Sequence, residues 1–287
     1  MPHKYTIEFD EETWQGLLQH AGRGNIKDYI QHLLDREFQA ARTRAIILCG
    51  GDEADFYPTT IPIPKAMLPV GYRPVVEYLL EHIVDHGITR VTLVANADGN
   101  VSDHFARLTT PGVEIDVITE PEPQGTAGAL RAVKSSVRDT FVVLNGDILT
   151  NVNLAQMIRD HRASDALATV LVTHPAHAAR YDPKRLGWVD LDDDGRITRL
   201  TAGARNGGGP SPAHYNAGVY LLQPEVLRLI PEQGASSLED DILPQLIGDR
   251  RVRAWVMHES DYWLDVADPR EFSRAWEDVL TGRFPTA

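Results

Sequence analysis

From residue 44 onward, short apolar runs alternate with stretches of helical, period-3.6 spacing. The runs at 44–49, 90–95, 113–119 and 140–145 predict strands, and the segments near 74–86, 100–107 and 126–136 predict the helices between them. Strands with little polar alternation are buried on both faces. The pattern therefore predicts an α/β fold, a Rossmann-like and mostly parallel sheet with helices on either side. Beyond residue 165 strands dominate, at 166–173, 186–191, 196–201, 214–222 and 252–257, with Asp194-Gly195 as a hairpin turn between two of them. Helices near 237–247 and 269–280 complete the chain. Ser236 with Glu239 forms the pattern of a capping box for the first, and Asp268-Pro269 supplies an N-cap and an N1 proline for the second.

The first 44 residues follow another pattern. Lys4 to Phe9 alternates like a strand, Glu11 to His20 has helical spacing, and Gly22-Arg23-Gly24-Asn25 breaks it. A second helix is predicted from Ile26 to Ala41, with Tyr29, Ile30, Leu33, Leu34 and Phe38 as its apolar stripe. Strand, helix, turn and helix in this order resemble a ribbon-helix-helix module, which gives two domains, 1–44 and 45–287. So small a unit cannot bury its own core, and pairing with a second copy into a homodimer or higher oligomer is expected. Its six basic side chains are balanced by seven acidic ones. Phosphate neutralisation supplies much of DNA affinity, so the module reads as a dimerisation or docking element. A DNA-binding head and a plain helical extension are the alternatives.

Composition narrows the partners. Lysine and arginine total 28 against 41 aspartates and glutamates, a net charge of −13 that disfavours a general role on nucleic acid or anionic membranes. No run approaches 18 apolar residues and the N-terminus lacks a signal-peptide core, so a soluble, cytoplasmic protein is expected. The single cysteine, Cys49, lies in the first apolar run and reads as a small core residue.

Candidate chemistry sits at the carboxyl ends of the predicted strands, where ligands bind in such sheets. Gly50-Gly51 follows the first strand, and an irregular loop leads to Pro64-Lys65. Gln124-Gly125-Thr126-Ala127-Gly128 opens a predicted helix, where backbone N–H groups and small side chains admit a ligand closely. Asp147 ends a strand after Asn145-Gly146, and Asp265 follows Tyr262-Trp263-Leu264 in a predicted loop. Two carboxylates suit a hard cation that also takes phosphate and water oxygens; capping of the following helix is the plain alternative for Asp147. His174 and His177 have i, i+3 spacing in a Pro-Ala loop and read as surface residues.

These segments, with Asn216-Ala217-Gly218-Val219-Tyr220, occur in the order and spacing of the sugar-1-phosphate nucleotidylyltransferases, and the chain from Arg44 to about Arg283 resembles that family. The resemblance implies transfer of a nucleotidyl group from an NTP to a sugar 1-phosphate, giving an NDP-sugar and pyrophosphate. It implies Lys65 as a catalytic cation, with Gly50, Gly51, Gln124, Gly125 and Thr126 on the nucleotide and Gln124 reading the base. Gly146, Asn216 and Gly218 would face the sugar, and Asp147 and Asp265 would hold Mg²⁺. Two departures point the other way. Glu53 and Asp55 stand where the family has a glycine and an arginine, and Ala202-Gly203-Ala204 stands where it has Glu-Lys-Pro. An arginine on a transferring phosphate is worth roughly 10³–10⁵ in rate. A homologue that binds a nucleotide or sugar nucleotide without turnover is therefore one alternative, and a DNA-binding regulator with such an effector domain is another.

Overall fold

The computed structural model describes residues 8–21, 26–27, 29–30, 42–50, 63–97, 100–108, 110–174, 186–201 and 214–284. The chain divides into two compact units, Met1–Gln39 and Ala40–Ala287. In the first, the helix Glu11–Ala21 is opened by Asp10, whose carboxylate accepts from the Thr13 N–H at 2.7 Å. Most of the predicted strand at Lys4–Phe9 lies outside the described residues, and Glu8 and Phe9 form no strand. Of the predicted helix 26–41, residues 26, 27, 29 and 30 are helical and the others lie outside the described set.

The second unit is built on one sheet. Strands β1 (Arg44–Leu48), β2 (Pro69–Val70), β3 (Arg73–Pro74), β4 (Arg90–Asn96), β5 (Glu114–Glu120), β6 (Phe141–Asn145) and β7 (Ile148–Thr150) come first. They are followed by β8 (Ala168–Val172), β9 (Trp188–Leu191), β10 (Ile197–Leu200), β11 (His214–Leu222), β12 (Val252–Val256) and β13 (Trp263–Asp265). Among the described residues nine strands join in one sheet, ordered β10-β9-β11-β6-β1-β4-β5, with β8 beside β11 and β12 beside β8. β6, β1, β4 and β5 run parallel, and β11 returns antiparallel against β6. The sheet is mixed α/β and mostly parallel at its centre, as the apolar runs predicted.

Both faces of the centre are covered. Ala45 and Ile47 of β1 pack with Leu79 and Ile83 of the helix Val75–Asp85 and with Met157 of the helix Leu154–Ala163. Ile46 faces the other way, among Leu130, Val133, Leu243 and Leu246. Period-2 alternation inside an unbroken apolar run is what burial on two faces requires. A smaller core of Val70, Tyr78, Leu149, Leu264, Val266 and Phe284 ties β2, β7 and β13 to the C-terminal helix Pro269–Leu280.

Several local readings change. The segment predicted as one helix at 126–136 is an α-turn, Gly125–Gly128, followed by a 3₁₀ turn, Ala129–Val133. The helix near 237–247 begins as a wide π-turn, Leu238–Ile242, and becomes α over Leu243–Gly248. Its N-cap is Ser237 rather than Ser236: the Ser237 hydroxyl accepts from the N–H groups of Glu239 and Asp240. Asp241, not Glu239, closes the reciprocal bond to the Ser237 N–H at 2.8 Å. Asp268 and Pro269 open the last helix as read, with the Asp268 carboxylate accepting from the Arg270 N–H at 2.8 Å. Gly195, at φ +73°, turns β9 into β10.

Candidate functional site

The carboxyl ends of β1, β4, β5 and β6 lie side by side, because register pairs Leu48 with both Val94 and Asn145, and Asn96 with Glu120. β1 is the switch point of the sheet: β4 and β5 lie on one side of it and β6 and β11 on the other. Crevices form at such points, beyond the strand ends.

On the β4–β5 side there is a cavity of about 130 Å³, with Leu48, Gly50 and Val94 along its sheet edge and Gln124, Gly125 and Thr126 opposite. Glu120, the last residue of β5, also lines it. Burial raises the Glu120 carboxyl above its usual range, against the N–H of Gln124 and the positive charge of Arg131. Gly50 keeps the cavity open at its narrow edge, since a Cβ there would stand 3.0 Å from Asn96 Oδ1 and 3.7 Å from Glu120 Oε2. Gly51 lies outside the described residues, as do Asp52, Glu53, Asp55, Lys184, Arg185, Ala202 to Arg205 and His177.

The loop Gln124–Gly128 is clamped rather than open. The N–H groups of Ala127 and Gly128 both donate to Ser236 O, at 2.9 and 3.0 Å, and Gln124 O accepts from the Ser236 N–H at 2.8 Å. So close a backbone contact needs Gly125 at φ +74°, because a Cβ would lie 2.5 Å from Ser236 O. The Gln124 amide oxygen is held by Arg131 at 2.5 Å, and Arg131 is in turn fixed by the carbonyls of Pro231 and Gly234. Gln124 therefore faces the cavity with its acceptor already engaged. The carboxylate at the cavity wall is Glu120, which the sequence reading did not single out. The available signal was a charged residue ending a predicted parallel strand just before Pro121.

On the β6–β11 side, Asn145-Gly146-Asp147 turns from β6 into β7. Gly146 donates to Leu48 O at 2.9 Å, and a Cβ on it would come within 2.7 Å of that oxygen and 2.9 Å of the Ala66 methyl. Asp147 does not cap a helix, since a strand follows it and Asn153 caps the next helix by accepting from the Gln156 N–H. Desolvation raises the Asp147 carboxyl above its ordinary value, with Lys65 pulling the other way. Lys65 itself opens the 3₁₀ turn Lys65–Met67 and is half-buried. Asp265 stands not in a loop but at the end of β13, which pairs with β7 in the register Asp265 to Ile148. The next residue, Val266, donates to Asp147 O at 2.9 Å, so the strand ends that carry the two aspartates, more than a hundred positions apart in sequence, lie side by side. Cys49 is 2% exposed beside this turn, and burial together with Asp147 pushes its thiol far up.

Gly218, at φ +72°, sits in a register shift of β11 against β8, and a Cβ there would meet Asn145 Nδ2 at 2.8 Å. That irregularity places Asn216 so that its Nδ2 donates to Tyr220 Oη at 2.8 Å and its Oδ1 accepts from the Gly218 N–H. Trp263 of β13, 4% exposed, donates to Ala217 O at 2.8 Å and fastens β13 to this stretch. Asn145 Oδ1 is buried without a hydrogen-bond partner, an acceptor left over between Gly218 and Asp147. Among the described residues no three His, Cys, Asp or Glu side chains cluster as a metal cage. No described helix is long and apolar enough to cross a membrane.

A family model described as nucleotidyl transferase matches residues 44–282. The chain is 30% identical over 244 residues to mannose-1-phosphate guanylyltransferase of Mycobacterium tuberculosis, an alignment covering 84% of this chain and 66% of that one. It is 29% identical over 240 residues to mannose-1-phosphate guanylyltransferase catalytic subunit beta of Drosophila pseudoobscura pseudoobscura, covering 80% of this chain and 60% of that one. The chain thus spans less than two thirds of the length of these relatives. Its fold matches HddC from Yersinia pseudotuberculosis, solved alone and complexed with GMP-PN, with a TM-score of 0.68, 23% identity, and coverage of 83% of this chain and 99% of that one. With the glycines, aspartates and strand ends assembled as described, the chain belongs to the nucleotidyl transferase family, among the sugar-1-phosphate nucleotidylyltransferases.

Proposed function

We propose that this protein transfers a guanylyl group from GTP to a hexose 1-phosphate, with mannose 1-phosphate the first substrate to test. In this reaction an oxygen of the sugar phosphate attacks the α-phosphorus of GTP. The bond from that phosphorus to the oxygen bridging the β-phosphate breaks, and pyrophosphate leaves. One observation carries the reading: the carboxylate of Glu120 walls a cavity that lies across β1 from the two aspartate-bearing strand ends. A carboxylate only accepts hydrogen bonds, and among the common bases guanine offers it adjacent N1–H and N2–H donors. The name of the mycobacterial relative and the GMP-PN complex of the fold neighbour support the same choice.

Gly50, Gly125 and Thr126 would border the nucleotide, and Gly146, Asn216 and Gly218 the sugar. Lys65 would bring positive charge to the meeting point of two anions, where electrostatics makes up most of the barrier. The residues near Asp147 fit a hard divalent cation, because a desolvated carboxylate and an unpartnered buried carbonyl oxygen are both hard oxygen donors. Asp147 and Asp265 would hold Mg²⁺, which when bound supplies charge screening for the phosphates.

The test is pyrophosphate release across the common NTPs and hexose 1-phosphates. GTP with mannose 1-phosphate is expected to lead, and Glu120→Gln to lower kcat/KM for GTP by about 10- to 100-fold, the size of one charge-assisted hydrogen bond. Release with every NTP except GTP would reject the base assignment. A second reading, binding without turnover, is favoured by Glu53 and Asp55 in the glycine-rich segment. It predicts no release by the wild type, thermal stabilisation by GTP, and a gain of turnover in Asp55→Arg.

A further inference from the structure

The carboxylate of Glu239 is the common acceptor for hydroxyls from three segments. Its Oε1 accepts from Tyr220 Oη at 2.5 Å, and its Oε2 accepts from Thr126 Oγ1 at 2.8 Å and Ser237 Oγ at 3.0 Å. Each hydroxyl has a single proton. Each of the three oxygens also accepts elsewhere: Tyr220 from Asn216 Nδ2, Thr126 from the Leu238 N–H, and Ser237 from the Glu239 and Asp240 N–H groups. All three protons are therefore committed to Glu239, and the chain Asn216–Tyr220–Glu239–Thr126 converges on that carboxylate, with Asn216 and Tyr220 donating toward it from one side and Thr126 from the other. Tyr220 is fully buried, so this chain runs through the interior. Its ends are Thr126, on the nucleotide-side cavity, and Asn216, on the β6–β11 side. The π-turn that carries Glu239, closed by the Ile242 N–H on Ser237 O at 3.3 Å, is a wide turn of the kind that recurs at functional sites.

We propose that Glu239 is a positioning residue that couples the two half-sites, so that a nucleotide in the Thr126 cavity raises affinity for the sugar phosphate at Asn216. The inference rests on the guanylyltransferase reading above. One carboxylate fixes the partners of both ends, so ordering it for one ligand removes part of the cost of ordering it for the other, and the effect is reciprocal. Burial and the negative charge of Glu239 both raise the Tyr220 phenol well above its usual value, which keeps its proton in place for this role. Glu239→Gln puts a donating amide where hydroxyl protons now point: Ser237, which already accepts two N–H groups, cannot take it, and Tyr220 or Thr126 can accept it only by turning its own proton away.

The experiment is calorimetric titration of mannose 1-phosphate into the full chain with Mg²⁺, with and without a saturating non-hydrolysable GTP analogue. The wild type is expected to bind the sugar phosphate more tightly with the nucleotide present, by a factor within the usual range of about 5 to 150. In Glu239→Gln that factor is expected to fall near one, with nucleotide binding retained. Tyr220→Phe, which removes only the hydroxyl link, is expected to do the same and stands in should Glu239→Gln lose its cooperative thermal transition. A coupling factor unchanged in both variants would overturn the proposal and leave the guanylyltransferase reading intact. Absence of binding of either ligand to the wild type would instead overturn that reading.

Discussion

The carboxylate of Asp147 is held away from bulk water at a turn whose backbone packs on Leu48, and Lys65 compensates only in part. Ionising it costs more in the folded chain than in the unfolded one. As pH rises from the unfolded value of 3.8 through the raised folded value, the folded state loses stability, and the deficit persists above it. Asp147→Asn is therefore expected to melt higher than the wild type at pH 7.5 and to lose that advantage near pH 3.5, while pyrophosphate release is abolished. Thermal melts at the two pH values check the first part, and the release assay checks the second. A gain in stability with a loss of activity is what a strained functional residue gives. Gly146→Ala tests the neighbouring backbone. Its Cβ meets a carbonyl oxygen and a methyl group that cannot both retreat, so a loss of about 1–3 kcal/mol is expected in chemical denaturation. At this scale Gly50, Gly125, Gly146 and Gly218 were legible, because each stands where a turn or a close approach excludes a side chain. Glu120 was not, because its place on a cavity depends on Gln124 and Leu48 folding toward it from other segments.

Among the elements, the helix Leu154–Ala163 is joined to the sheet through a buried polar contact. His161 Nδ1 lies 2.8 Å from Thr169 Oγ1 on β8, and its Nε2 lies 3.0 Å from the Gln223 amide nitrogen. Burial, with Arg162 nearby, lowers the His161 pKa from 6.5 to about 4. Below pH 6.5 the unfolded chain takes up a proton that the folded chain refuses until about pH 4. Stability falls across that interval, by up to ~3 kcal/mol from this residue alone. Denaturation of the wild type and of His161→Gln at several pH values is expected to show a flatter decline in the variant between those limits. His82, lowered to about 3, contributes a parallel decline that both proteins share. The elements legible in advance are those with long patterns, such as β4 with seven residues and the helix Pro269–Leu280 with twelve. β7 and β13 have three residues each and exist only because they pair with one another. Their residues carry no period of their own, which is why Asp265 read as part of a loop. The N-cap moved from Ser236 to Ser237 for a similar reason, since Thr126 and Tyr220, distant in sequence, claim the Glu239 carboxylate.

At the scale of the whole molecule, the three hydrophobic cores found among the described residues lie within the unit Ala40–Ala287. A chain beginning at Ala40 keeps Arg42, whose carbonyl accepts from Arg90, and Thr43, whose hydroxyl accepts from Arg162. It is expected to unfold cooperatively, with a melting temperature within about 4 °C of the full chain, corresponding to a change below about 1 kcal/mol. Scanning calorimetry on the two lengths checks this, and sedimentation of the two at matched concentration tests whether residues 1–39 hold copies together. The helix Glu11–Ala21 leaves Trp14 and Leu18 substantially exposed, with Phe9 stacked on Trp14 at 6.5 Å between ring centroids. Loss of self-association in the shorter chain is the outcome expected of a dimerisation module.

By itself the sequence determined the class of fold, the central strands and their covering helices, the glycine turns at the strand ends, and the family. Each of these is written in local periodicity or in a steric demand that one residue makes on its own backbone. Only the tertiary structure decided that the strand ends carrying Asp147 and Asp265 are joined through Val266 N–H and Asp147 O, that the Glu120 carboxylate lines the cavity beside Gln124, and that Glu239 gathers hydroxyls from three segments. Those facts depend on contacts between residues up to more than a hundred positions apart, and such contacts leave no trace in the pattern of either partner until chain closure brings them together.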